Sequence, residues 1–208
     1  DESRPDVRDP VLNLYDPSNP NQPPYSADFL ATFASAQVIR NRRITAWVKE
    51  RLAAIRASDS PQREFAFTVH GTMADPRWLD PTIEPSERAV GRCYLGDPKV
   101  VNDGPVGLAR FCTLRSWLSQ WSYDDARCDA VAAGPKISIP VLVVGNSADD
   151  ACTPSHTHRL FEAVTHDRKR LHIVQGATHY YTGPDARSHL QEAVDVMEGF
   201  LIDHLGAS

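Results

Sequence analysis

Between positions 27 and 56 apolar side chains recur at three- and four-residue steps. Phe29, Phe33, Ala36, Ile44, Trp47, Val48, Leu52 and Ile55 fall on one side of this pattern, and Arg40, Arg42, Arg43, Lys49 and Glu50 on the other. That period predicts one long amphipathic helix. Ser26 is placed to cap its start, with Asp28 in the first turn. From 64 to 70, Phe65, Phe67 and Val69 alternate with smaller or polar residues, which predicts a short strand. Residues 71–107 are rich in Pro, Gly and Asp and read as irregular. A second helix is expected over 108–121, with Phe111, Leu114, Leu118 and Trp121 on one side.

The pattern changes at Ile137. Ile-Ser-Ile-Pro-Val-Leu-Val-Val-Gly reads as a strand buried on both faces, as in a parallel sheet. Residues 154–164 read as a helix with Pro154 in its first turn. A short strand follows over 171–174, ended by Gly176. A terminal helix is expected over 188–205, with Leu190, Ala193, Val194, Met197, Leu201 and Leu205 as its apolar stripe. Strand, helix, strand, helix is the βαβα order of a doubly wound α/β fold. Two strands do not make a stable sheet alone, so further strands are expected from elsewhere. The segment Asp16-Pro17-Ser18-Asn19-Pro20-Asn21-Gln22-Pro23-Pro24 excludes helix and central strand near the start. The expected organisation is therefore an extended leading segment over 1–26, a mainly helical region over 27–134, and an α/β part over 135–208.

In α/β sheets functional groups sit just beyond the C-terminal ends of the strands. Here Gly145-Asn146-Ser147-Ala148-Asp149-Asp150-Ala151-Cys152-Thr153-Pro154 follows one strand, and Gln175-Gly176-Ala177-Thr178-His179-Tyr180-Tyr181 follows the next. A carboxylate beyond one strand and a histidine in a Gly-x-x-His turn beyond the other form a specific pairing. A hydroxyl nucleophile needs a base whose pKa lies near neutrality, and the base needs a carboxylate to fix its tautomer. Taken singly, either residue reads as an N-cap or a turn residue.

Pro-Val-Leu-Val-Val-Gly-x-x-Ala-Asp…Pro, a helix, and then Gly-Ala-x-His resembles the last third of the α/β-hydrolases, whose chain order is Ser, Asp or Glu, His. The resemblance covers residues 137–205. It implies Asp149 as the acid and His179 as the general base. Asp150, four residues before Pro154, is the alternative acid; Asp149 is favoured because Ala-Asp directly follows the Gly-x-x turn. The resemblance further implies that residues 27–134 are a cap, and that small ester-like substrates bind between sheet and cap. His70, Trp78, Trp117, Trp121 and Tyr180 are candidates to line that pocket, each weighed against ordinary core packing. No G-x-S-x-G elbow and no H-G-G-G oxyanion motif occurs in the chain. Ser147 lacks the second glycine of an elbow, and Cys152 sits on the acid loop. The nucleophile and oxyanion hole are therefore expected from an N-terminal half, as a separate chain or cleaved fragment. The expected activity is carboxylic-ester hydrolysis. The alternatives are a non-catalytic binding module, or amide, carbon–carbon or lyase chemistry on the same frame.

Composition narrows the partners. Of 208 residues, 41% are hydrophobic and 24% charged, with a net charge of −5 and no basic stripe, so nucleic acid is not an expected partner. No apolar run reaches the ~20 residues of a membrane helix, and the polar start is not a signal peptide, so a cytoplasmic location is expected. Cys93, Cys112, Cys128 and Cys152 match no zinc spacing and read as small buried hydrophobes. His156 and His158, two apart, face different sides of a helix. No metal and no cofactor is expected.

Overall fold

The computed structural model describes residues 9–59, 61–105 and 107–205. Its elements are α1 (Ala27–Ala57), β1 (Ala66–Thr68), α2 (Pro98–Asp103), β2 (Phe111–Thr113), α3 (Leu114–Ser116), α4 (Ala130–Ala133), β3 (Val141–Asn146), α5 (Pro154–Ala163), β4 (Lys169–Val174) and α6 (Ala186–Leu205). The protein is mixed α/β, with one antiparallel strand pair and one parallel pair. Among the described residues no helix is long and apolar enough to cross a membrane. The chain forms two compact units, Asp1–Asp80 with Leu95–Cys128, and Pro81–Tyr94 with Asp129–Ser208. Residues 1–8 of the expected leading segment lie outside the described residues.

The first unit is built on α1. The Ser26 side chain accepts the Phe29 amide and Asp28 stands in the first turn, which satisfies one orphan donor and favours the positive end of the helix. The apolar face of α1 buries Val48 and Leu52 against Val69, Cys112, Leu114 and Trp117, with Trp47, Phe65 and Phe67 packed around them. Thr45, buried on the same helix, accepts the Trp117 indole N–H at 3.0 Å. Strands β1 and β2 pair antiparallel, Ala66 opposite Thr113.

The helix expected over 108–121 is not continuous. Phe111–Thr113 is strand, and Phe111 is 75% exposed instead of packing beside Leu114. The cause is a capping box: Thr113 accepts the Ser116 amide, and Ser116 accepts the Thr113 amide. Together the two bonds start the helix at Leu114. Beyond α3 the backbone widens into a π-helical turn over Trp117–Trp121.

In the second unit β3 and β4 pair in parallel, Val141 opposite Lys169 through to Asn146 opposite Val174. Helix α5 is the crossover between them. Gly145 permits its close approach, since a Cβ there would meet Thr157 Cγ2 at 2.6 Å. Val174, Ala177 and Ala193 form the centre of this core, with Val144 and Tyr181 against it. β3 is less buried than its sequence suggests: Val143, Gly145 and Asn146 are buried, while Val141, Leu142 and Val144 are half-buried. The sheet has only two strands among the described residues. Of the apolar stripe expected for α6, Ala193 alone is buried among the described side chains; Leu190, Val194, Met197 and Leu201 are exposed, and the helix packs instead through Ala193 and Phe200. The Leu205 side chain lies outside the described residues.

Candidate functional site

Backbone hydrogen bonds join the loop after β3 to the loop after β4. The Ser147 amide donates to the Val174 carbonyl at 3.1 Å and the Ala148 amide to Ala177 at 3.0 Å. Asn146, at the last position of β3, donates its side-chain amide to the Thr178 carbonyl at 3.0 Å. These three bonds place the next residue of each loop, Asp149 and His179, side by side.

Asp149 is buried, and its Oδ1 accepts the amides of Ala151 at 2.8 Å and Cys152 at 2.7 Å. Both of its oxygens stand 3.1 Å from Nδ1 of His179. A carboxylate at Nδ1 selects the tautomer that carries its proton there, which leaves the Nε2 lone pair free to accept one. The His179 ring is 28% exposed, open enough to meet a reacting group. Its turn depends on Gly176 at φ +74°, a conformation that favours glycine.

Asp150 has a different setting. Burial holds its carboxyl above the ordinary value of 3.8, and the charge of Asp149 adds to the rise. Ser147 is already engaged: its hydroxyl donates to Glu87 and accepts the Gly176 amide at 2.7 Å. Cys152 is exposed as a residue, yet partial burial of its thiol raises the pKa, and Asp149 raises it further. That disfavours the thiolate, the reverse of an activated nucleophile. Of the other cysteines, Cys93 and Cys112 are buried, whereas Cys128 is exposed, so two of the four depart from the expected burial. Among the described residues no group of three His, Cys, Asp or Glu side chains gathers to hold a metal ion.

The five candidate pocket residues are dispersed. Trp117 and Trp121 line one cavity of the first unit, and His70 and Trp78 are not among its described lining residues. The His70 carbonyl accepts from the Arg40 guanidinium. Trp78 is buried at the end of the 3-10 turn Pro76–Trp78. Tyr180 belongs to the second unit and packs edge-on against His179, with ring centres 4.8 Å apart.

Sequence reasoning misses the strap Pro81–Tyr94, which folds with the second unit. Glu84 accepts the Ser155 amide at 2.7 Å and the Thr153 hydroxyl at 3.0 Å, at the start of α5. Glu87 accepts the Ser147 hydroxyl and, at 2.8 Å, the Gly176 amide, so it holds both loops. Those bonds keep its carboxyl below the ordinary value. Tyr94 then lies edge-on to His179 at 5.4 Å and to Tyr180 at 6.1 Å. Burial, with lesser effects from Cys93, Tyr180 and Cys152, pushes its phenol up to about 12. Nothing periodic in residues 81–94 announces these contacts, and the left-handed Glu84 at φ 56° has no sequence signal.

No family model matches the chain, and no curated protein and no solved structure matches it.

Proposed function

We propose that this chain is part of an α/β-hydrolase that cleaves small carboxylic esters. The supporting observation is the Asp149–His179 pair, 3.1 Å apart on loops that follow two parallel strands. Position at the strand ends, a buried acid and a part-exposed base are what acyl transfer requires. In this reading a serine from another segment of polypeptide attacks the ester carbonyl while His179 Nε2 takes its proton. Asp149 stabilises the imidazolium, which then protonates the departing alcohol. Water, activated in the same way, releases the acid.

Two observations support the idea that the nucleophile comes from a partner segment. The chain contains no G-x-S-x-G. The parallel sheet has two strands among the described residues, and α6 leaves Leu190, Val194, Met197 and Leu201 exposed beside it. Contiguous apolar surface of that kind is ordinarily covered.

The test is a fluorophosphonate probe applied to the native species, followed by mass spectrometry of every labelled peptide. The expected result is label on a serine of a co-purifying fragment and none on this chain, with labelling abolished by His179→Ala. Label on Ser147, or no His179-dependent label at all, overturns the reading.

A further inference from the structure

Two tyrosines of the second unit flank the imidazole of His179. Its ring centre lies 4.8 Å from that of Tyr180 and 5.4 Å from that of Tyr94, and the two tyrosine rings are 6.1 Å apart. All three contacts are edge-on, an arrangement that aromatic rings favour. The three centres form one compact triangle, so Tyr94 backs both Tyr180 and the imidazole. The Nδ1 side of His179 is taken by Asp149. The two tyrosines differ in exposure: Tyr94 is half-buried, whereas Tyr180 is 58% exposed.

The turn that projects Tyr180 is strained. Tyr181 stands at φ 50°, in the left-handed region, where a bulky side chain is an outlier. Its surroundings hold it there. Tyr181 packs against the core of Val174, Ala177 and Ala193. Its amide donates to the Thr178 carbonyl at 3.1 Å, and the Thr182 amide donates to the Thr178 hydroxyl at 2.8 Å. Of two adjacent tyrosines, the second is turned onto the core and the first outward beside the base. Backbone strain of this kind concentrates at functional sites.

In the hydrolytic cycle the serine oxygen bonds to the carbonyl carbon, and the bond from that carbon to the alcohol oxygen breaks. The proton taken from the serine passes from His179 Nε2 to the departing oxygen, which leaves as the neutral alcohol. That oxygen must come within about 3 Å of Nε2. The rest of the alcohol then lies against whatever flanks the imidazole, and here the exposed flank is the Tyr180 ring. We propose that Tyr180 is a specificity-determining residue, which selects esters of aromatic alcohols by packing its ring against that of the departing phenol. This rests on the hydrolase reading and adds to it the class of substrate.

The test compares phenyl acetate with hexafluoroisopropyl acetate on the native assembly. Both esters give the same acetyl-enzyme and release alcohols of similar acidity, one with a ring and one without. The quantity read is the ratio of their kcat/KM values. Tyr180→Ala is expected to lower that ratio about fivefold, the scale of one ring–ring contact. Tyr180→Phe keeps the wild-type ratio, because the ring and not the hydroxyl makes the contact. Tm of Tyr180→Ala stays near wild type, since the side chain is largely exposed. A mere disturbance of His179 lowers both esters together and leaves the ratio unchanged in Tyr180→Ala, and that result overturns the proposal. So does an equal fall of the ratio in Tyr180→Phe. In either case the hydrolase reading stands as long as His179→Ala abolishes hydrolysis of both esters. Hydrolysis of neither ester by the wild type, or hydrolysis that survives His179→Ala, overturns that reading and the proposal with it.

Discussion

Both carboxylate oxygens of Asp149 share the single Nδ1 position of His179, 30 residues along the chain. The Asp149 carboxylate is itself fixed by the amides of Ala151 and Cys152. In Asp149→Asn one of those oxygens becomes a donor, which cannot stabilise an imidazolium and favours the wrong tautomer. Under the proposed mechanism kcat/KM on an aryl ester falls by up to ~10⁴, measured on the native assembly. Activity within tenfold of wild type removes Asp149 from the mechanism.

Asp150→Asn separates the two acids. Burial raises the folded-state pKa of Asp150 above 3.8. Between that value and the folded-state one the native protein binds the extra proton, so stability falls as pH rises through the window. Asp150→Asn removes this loss. Its Tm is expected to exceed wild type at neutral pH and to converge with it below pH 3.8. Calorimetry across pH checks this, and a variant less stable than wild type at neutral pH contradicts it.

Glu87 works in the opposite sense. Its bonds to Ser147 and Gly176 depress its pKa below the ordinary 4.5, so its contribution is complete above that pH and is lost as pH falls through the folded value. The Gly176 amide proton is expected to shift in NMR with a midpoint below 4.5. Glu87→Gln abolishes that titration. A midpoint at or above the ordinary value would mean that the strap bond does not form in solution.

Tyr94 is predicted to hold the His179 ring through its edge, not its hydroxyl. Tyr94→Phe keeps the ring and is expected within about twofold of wild-type kcat. Tyr94→Ala frees the imidazole and lowers kcat about tenfold with little change in KM, as loss of an orienting contact does. Equal losses in both variants would assign the role to the phenol oxygen.

Gly145→Ala tests the crossover. The added Cβ meets Thr157 Oγ1 at 2.8 Å and Ile173 Cδ1 at 3.0 Å. Overpacking of that kind costs about 1–3 kcal/mol. Denaturant unfolding measures it, and a change under 0.5 kcal/mol, about the scale of a surface substitution, contradicts the close packing.

The α/β part was legible wherever the signal is local. Apolar runs and three- to four-residue periods marked β3, α5, β4 and α6 to within two residues at most ends, and Ser26 marked the start of α1. Asp149 and His179 stood out because they follow those runs directly. The start of α3 was misread because period alone does not weigh the Thr113–Ser116 capping box against a longer helix.

What the sequence by itself determined is therefore the order of elements and the chemistry offered at the strand ends, because both depend on residues a few positions apart. The tertiary structure alone decided which carboxylate meets His179, that the strap Pro81–Tyr94 binds both loops, and that α6 packs through Ala193 and Phe200 and leaves most of its expected stripe exposed. Glu87 reaches Ser147 across 60 residues and Gly176 across 89. A bond between one side chain and a distant hydroxyl or amide leaves no periodic trace. Its partner is set by where two turns come to rest, and that is a property of the packed chain.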